Sequence, residues 1–299
     1  MATSFTGLSE AQIDDIIIEA ILSMLPYFGA FSTQLDHPEG LVKGNDYIVP
    51  IVGALTVGNK TPGTLVTPSG SVTGVPVTVN TFKGAAFEAI EGELSARLVA
   101  AWWRKQIAAA AVVVAQTCVD AALGLVTAAN YGSGAGDVVT DADFDTDTIV
   151  ALRAAAKNKL KSVPGAFICN ALTASRLIAL QQVVIALAEA RNAVSEGVIP
   201  GRLVGYPAYE YVDLPHNSEH LAAAVIGQSA IAVAAGAPEQ LISSGEGDVR
   251  YRRIIAEPES GLSVQYTEVV QGGGKVIAEL GLLFGVKKAQ DAVVRLVTE

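Results

Sequence analysis

The sequence predicts an α+β fold, in which long helical runs stand beside strand-like stretches. Three observations carry this. The run "ELSARLVAAWWRKQIAAAAVVVAQTCVDAAL" is dense in helix formers. Before it, "DYIVPIVGALTV" (46–57) and "SVTGVPVTVNTF" (71–82) are rich in Val and Ile and punctuated by Gly and Pro, as strands are. Late in the chain, "GLSVQYTEVVQ" and "KVIAELGLLFGV" flank Gly272–Gly273–Gly274, a hairpin signal.

The first element is a helix over "SEAQIDDIIIEAILSML" (9–25). Ser9 and Gln12 fit a capping box, and Ile13, Ile16, Ile17, Ala20, Ile21 and Met24 recur at helical spacing. Asp14, Asp15 and Glu19 take the other side, and Pro26 stops the helix. Such a helix lies either on its own core or, as an arm, on a neighbour.

Residues 27–46 read as irregular, with "DHPEG" as a turn. The two strands that follow enclose "GNKTPGTLVTPSG", whose small and polar residues cannot bury a face and whose prolines at 62 and 68 exclude a helix. Together they describe an elongated hairpin, with Pro50 and Pro76 suited to sheet edges. A two-stranded hairpin is marginal alone in water, so this one is expected to pack on another copy of the chain.

The longest helix is expected from about Phe87 to Ala122, broken near Gly92 and capped by Gly124. At roughly 30 residues it would run about 45 Å, the spine of something elongated. "NYGSGAGDVVTDADFDTDT" (130–148) reads as a loop whose Asp145 or Thr146 caps the helix "DTIVALRAAAKNKLKS". "AFICN" is a short buried strand, 173–193 a helix, and 197–215 a glycine-rich loop with a strand. "LAAAVIGQSAIAVAAG" (221–236) reads as strand, turn, then helix or strand, and "AVVRLVTE" closes the chain as a strand. No fixed-period repeat occurs.

The 299 residues suffice for one large domain or two ordinary ones. At 51% hydrophobic and 17% charged, the composition suits a subunit that buries surface against neighbours, or an Ala- and Val-rich enzyme. The formal net charge of −10 argues against a dedicated nucleic-acid binder and predicts weak duplex binding without steep salt dependence. Cys118 and Cys169 sit in apolar surroundings and read as small buried hydrophobes. No secretory signal is read at the N-terminus, and 107–129 reads as a buried helix rather than a membrane span, given Gln116, Thr117 and Asp120.

Enzyme-like strings fail on context. His216, Glu219 and His220 spell H-x-x-E-H, a zinc-protease pattern that needs a helix, whereas here it follows Pro215 in a polar connection. "GQSAI" around Ser229 lacks the last glycine of a nucleophile elbow. Gly132, Gly134 and Gly136 follow a helix, where a dinucleotide fingerprint must follow a strand. Asp141, Asp143, Asp145 and Asp147 lack the glycine and distal glutamate of a calcium loop. Trp102 and Trp103 read as packing anchors, and Lys60 as a solvated loop lysine. The reading is therefore not an enzyme, with no cofactor and no metal.

Taken in order, the elements resemble the tailed-phage major capsid protein of the Hong Kong 97 type. The resemblance lies in the short arm, the extended Gly/Pro/Thr loop, the long helix and "GAFICNALTASRLIALQQ". "GRLVGYPAYEYVDLP", "AAAVIGQSAIAVA" and the paired strands around "QGGGK" extend it over nearly the full length. It implies an N-terminal arm (1–46), an extension loop (47–83), a peripheral domain with the spine helix (84–170) and an axial domain (171–259). Residues 260–286 would be the peripheral hairpin and 287–299 a terminal strand of either domain. Loop residues Asn59, Lys60, Thr61, Pro62, Leu65 and Val66, and arm residues Ile13, Ile16, Ile17 and Ile21, would contact neighbours or a scaffold.

The function so implied is self-assembly, as hexamers and pentamers, into an icosahedral shell around a phage double-stranded DNA genome. The virion is its location, after assembly in the host cytoplasm, without membrane. A portal and a separate scaffolding protein are the implied partners, since about 46 residues before the loop are too few for a built-in scaffold domain. No self-crosslinking Lys–Asn pair is assigned. The rival readings are an encapsulin-like nanocompartment shell and, from another class, an α/β metallohydrolase using His216, Glu219 and His220.

Overall fold

A computed structural model of the chain describes residues 8–24, 28–35, 40–52, 72–90, 96–134, 136–140, 145–161, 163–184, 202–203, 205–238, 248–256, 262–271 and 275–298. The elements in order are α1 (Glu10–Met24), α2 (Phe28–Phe31), β1 (Ser32–Gln34), β2 (Asp46–Val52), β3 (Val72–Thr78), β4 (Thr81–Ile90) and α3 (Ala96–Leu123). There follow α4 (Ala128–Tyr131), β5 (Val138–Thr140), α5 (Thr146–Leu160), β6 (Gly165–Cys169), α6 (Ala171–Val184), β7 (Arg202–Leu203) and β8 (Tyr206–Glu210). The chain ends with β9 (Leu221–Gly227), β10 (Ile231–Gly236), β11 (Asp248–Ala256), β12 (Ser263–Gln271), β13 (Lys275–Lys288) and β14 (Val293–Val297). The α+β class is as expected.

The first sheet is organised by β13, whose 14 residues are long enough to serve three partners. β4 runs antiparallel along one side, while β12 and then β10 lie end to end along the other. β11 extends this sheet beyond β12, and β1 lies parallel to β10. The second sheet has the order β5-β14-β9-β6-β8-β7, and β2 and β3 form a separate two-stranded ribbon. β6, β9 and β10 are buried at every residue, which explains their unbroken Ala, Val and Ile runs.

α3 lies on the first sheet through Trp103, which is fully buried. Its ring meets Phe87 of β4 edge-on at 4.9 Å, and its Nε1 donates to the Tyr266 hydroxyl at 3.0 Å. Tyr266 in turn donates to the buried Glu268 carboxylate at 2.6 Å, so no indole or phenol donor there is left without a partner. By length and composition Val99–Leu123 is apolar enough to cross a membrane, yet half of its apolar window is packed inside the protein.

α1 shows the expected capping box, with Ser9 N donating to Gln12 Oε1 at 3.0 Å and Gln12 N to Ser9 Oγ at 3.3 Å. Its isoleucine stripe meets α3 of its own chain. Ile13, Ile17 and Ile21 are each 0% exposed and belong to the main core, whereas Ile16 is only half-buried. The stripe expected to reach a neighbour is thus satisfied within the subunit, at least by three of its four residues. Arg253 of β11 pins the helix by pairing with Glu10 and Asp14.

Four further expectations change. Residues 87–90 are strand, because β4 keeps pairing with β13 as far as Ile90, and the helix is described only from Ala96. The presumed loop 130–148 contains α4 and β5, the latter added in parallel to β14. β11, unread in the sequence, pairs along β12 with a bulge between Val249 and Tyr251. The domain limits also shift. β6 stands in the second sheet, β10 and β11 in the first, and the terminal strand β14 joins the second.

Because Ile17 is sealed between α1 and the core, Ile17→Ala is expected to destabilise the folded chain by about 2–5 kcal/mol. A shift of the urea midpoint would report it. An unchanged midpoint would show that α1 is not docked in solution.

Candidate assembly surfaces

The residues that looked catalytic are structural. Asn217, Ser218 and His220 have φ of 51°, 58° and 51°, a left-handed run that L residues adopt only when held there. What holds it is visible. Asn217 Nδ2 donates to Leu123 O and Val126 O at 3.0 and 2.8 Å, closing the last turn of α3. Glu219 Oε1 accepts from Ala128 N at 2.7 Å, at the start of α4. Its other oxygen pairs with Arg295 of β14, a guanidinium only 2% exposed that also donates to Gly132 O.

The string H-x-x-E-H is therefore a clasp joining α3, α4 and β14. His216 and His220 stay exposed, and among the described residues no group of three or more His, Cys, Asp or Glu could hold a metal. The glycine cluster belongs to the same region: Gly132 has φ +84°, and a Cβ there would lie 2.4 Å from Asp137 Oδ2. Lys159 hydrogen-bonds Asp137 and holds its carboxyl below the usual range. Asp145 is the N-cap of α5, with a capping box to Thr148. Ser229 Oγ is buried without a hydrogen-bond partner. Burial pushes both thiols up, Cys169 to about 12, so neither is a poised nucleophile.

The ribbon is a different kind of surface. Val49, Ile51 and Val77 are fully buried on its inner face, where they form a second, smaller core with Leu41, Val79, Ala232, Ala234 and Leu283. The register pairs Ile48 with Pro76 and Pro50 with Gly74 on the outer face, where Val72 also lies and the Asp46–Thr78 pair ends the row. That face is also apolar, yet Ile48 is 66% and Val72 67% exposed. Both outer edges of the ribbon lack a strand partner among the described residues. Pro50 and Pro76, which cannot donate to a ladder, fit that edge role.

The ribbon base is fixed to its own subunit. Gly44 N donates to Val79 O and Val79 N to Asn45 O, at 2.8 and 3.0 Å, and Lys287 Nζ reaches Pro76 O at 2.9 Å. On α3 a second apolar ridge is open, with Ala101, Ala109 and Val113 exposed and Ala108 and Val112 half-buried. The tip residues Asn59, Lys60, Thr61, Pro62, Leu65 and Val66 lie outside the described residues.

No family model and no curated protein matches the sequence. Solved structures do match. The capsid structure of Helicobacter pylori bacteriophage KHP30 aligns at a TM-score of 0.52 and 12% identity, covering 91% of each chain. The head structure of Helicobacter pylori bacteriophage KHP40 aligns at 0.50 and 13% identity, covering 91% of this chain and 90% of that one. The chain has the Hong Kong 97-type capsid fold.

In this fold the long helix and the ribbon stand in the expected order, and the middle of the described ribbon is apolar on two sides. What the sequence did not reveal is the clasp, whose parts lie as far apart as Leu123 and Arg295. The one local signal was a polar string too short for a helix and full of groups needing partners.

Removing one partner of the clasp should leave Arg295 buried and uncompensated. Glu219→Ala is expected to cost about 3 kcal/mol, against no more than about 0.5 kcal/mol for the exposed His216→Ala. Denaturant unfolding of the two variants would compare them. Stoichiometric zinc in the purified protein, lost in both, would instead restore the metallohydrolase reading.

Proposed function

We propose that this chain is a phage major capsid protein, a structural and non-enzymatic subunit that assembles into an icosahedral shell enclosing double-stranded DNA. One observation carries the reading: on a capsid fold, the ribbon has a second, largely apolar face and two edges that no described residue of its own subunit covers. A neighbouring copy is the occupant that such a surface requires, and in a closed assembly every copy both offers and receives it.

In this reading residues 1–46 are the arm and 47–83 the extension loop, whose tip residues Asn59, Lys60, Thr61, Pro62, Leu65 and Val66 rest on the neighbour. The peripheral domain is α3 with the first sheet, so it takes in β10 and β11 as well as the late hairpin. The axial domain is the second sheet with α5 and α6, and gathers about the five-fold and six-fold positions as pentamers and hexamers. Arm contacts with a shell neighbour or scaffold fall to Ile16 and the polar side of α1, since Ile13, Ile17 and Ile21 are occupied. A portal and a separate scaffold complete the assembly in the host cytoplasm.

Loop closure entropy varies only with the logarithm of length, so trimming the loop costs the subunit little. Excising residues 59–70 and joining the arms with a short glycine turn is expected to leave a soluble protein of near-normal helix content. Electron micrographs should then show no closed shells, or only fragile ones, where the parent forms icosahedral particles. Robust particles from the trimmed chain would refute the loop assignment, and failure to fold would place the segment in the subunit's own core.

A further inference from the structure

A chain of net charge −10 carries, on one flank of α5, three cations in a row. Arg153, Lys157 and Lys161 follow one another at four-residue spacing and all three are exposed. Four residues of helix rise about 6 Å from Arg153 to Lys157, and Lys161, the C-cap with φ 53°, stands just past the helix end and lines the same groove as Lys157. The fourth cation of this segment, Lys159, points to the opposite flank and is occupied by Asp137 and Asp291. No ion pair engages the three in the row among the described residues. Lys157 alone has a partner, the Tyr206 ring, whose centroid lies 4.7 Å from its Nζ.

Lys157 and Lys161 also complement the negative end of the helix dipole. Arg153 stands two turns before that end and gains nothing from it, so the dipole does not account for the row. Beyond its last member the row opens into a groove of about 380 Å³ lined by Lys157, Lys161, Pro164, Gly205, Tyr206 and Gln228. Beside it, α5 exposes the small side chains of Ala151, Ala154 and Asn158, bordered by Asp137 and Asp291, whose charges Lys159 engages. The one aromatic ring near the row is covered by Lys157, which leaves no platform for an unpaired base.

We propose that the Arg153–Lys157–Lys161 row binds the phosphate backbone of duplex DNA without regard to sequence, and marks a face of the shell that meets the enclosed genome. A ladder of like charges open along its length matches a polymer of repeating charge better than the single carboxylate of a protein partner. The contact is weak because only three cations take part, so it corrects the charge-based expectation locally without making the chain a dedicated binder. The proposal rests on the capsid reading for where the DNA lies, but binding itself is a property of the chain alone.

The test is the salt dependence of binding between the purified full-length chain and a duplex of random sequence. Each phosphate neutralised contributes about 0.9 to the slope of log K against log salt, so the row contributes about 2.7. From about 50 to about 200 mM salt the parent should therefore lose about 40-fold more affinity than the Arg153→Gln, Lys157→Gln, Lys161→Gln triple variant. Single variants Arg153→Gln and Lys161→Gln, each expected to remove about 0.9, keep the test intact if the triple variant does not fold. Equal slopes for parent and variants overturn the proposal and leave the capsid reading untouched. Row-dependent retention of poly-glutamate without duplex binding overturns it in favour of an acidic protein partner. Absence of shells with the slope change present would overturn the capsid reading alone.

Discussion

The architecture depends on one place where the chain passes twice between its sheets. β9 leads into β10 through Gly227–Ala230, and β13 leads into β14 through Ala289–Ala292, side by side. The two crossings bond to each other: Gly227 N donates to Ala292 O, Ala289 N to Ala230 O and Gln290 N to Ser229 O, at 2.8, 2.8 and 3.1 Å. The two crossings approach so closely that a Cβ on Gly227 would lie 3.0 Å from Ala292 Cβ and 3.2 Å from Ala292 O. Other elements tie in at the same point. Tyr131 donates to Ala230 O at 3.0 Å, Gln228 Nε2 to Gly29 O at 3.1 Å, and Thr33 donates to Gln228 O at 2.9 Å. Both crossings are thus fixed by backbone bonds that a side-chain change would leave in place.

That junction makes the subunit mechanically continuous from the ribbon to the terminal strand. Thr78 at the end of β3 lies so close to β13 that a Cβ on Gly285 would sit 2.2 Å from its carbonyl oxygen. β13 carries three neighbours of the first sheet and then continues, through the crossing, into β14. There the buried Arg295 ties the strand to Gly132 and Glu219, and through the strained turn to the end of α3. A force applied to the ribbon by a neighbour therefore reaches both sheets through hydrogen-bonded backbone, not through exposed side chains. In the proposed role of a shell subunit, that continuity would matter more than any single pocket.

How much of this was legible depended on whether the signal was local. The capping box of α1, the cap of α5 at Asp145, the antiparallel pairing of β12 with β13 and the buried strand at "AFICN" are short-range patterns, and each was readable. The limits that moved are those set by distant partners. Phe87 to Ile90 has helix-compatible residues, but pairing with Ala278 to Lys275 of β13 fixes them as strand. Ile13, Ile17 and Ile21 formed a visible stripe, but nothing in their spacing could tell an own core from a neighbour's. The exchange of strands between sheets was hidden for the same reason, since a strand, a turn and a second apolar segment over 221–236 do not say that β9 and β10 join different sheets. The row on α5 was spaced plainly in the sequence. It was overlooked because a total charge of −10 says nothing about where the positive residues collect.

The assembly reading does not lean on the solved structures beyond their fold, because the ribbon argues it independently. A half-exposed strand pair normally alternates apolar and polar residues, one set for the core and one for water. Here the middle of both sets is apolar: Tyr47, Val49, Ile51, Val75 and Val77 turn inward and Ile48, Pro50, Pro76 and Val72 turn out, with Asp46 and Thr78 outside and Thr73 inside as the polar exceptions. A monomer would gain solubility by replacing the outer set with Thr, Lys or Glu and would lose no packing. Covering Ile48 and Val72 is worth roughly 1.5–3 kcal/mol each, a small sum for one contact. Repeated by every copy around the closed surface we propose, the same small gain would let weakly interacting subunits commit to a shell without locking into errors on the way.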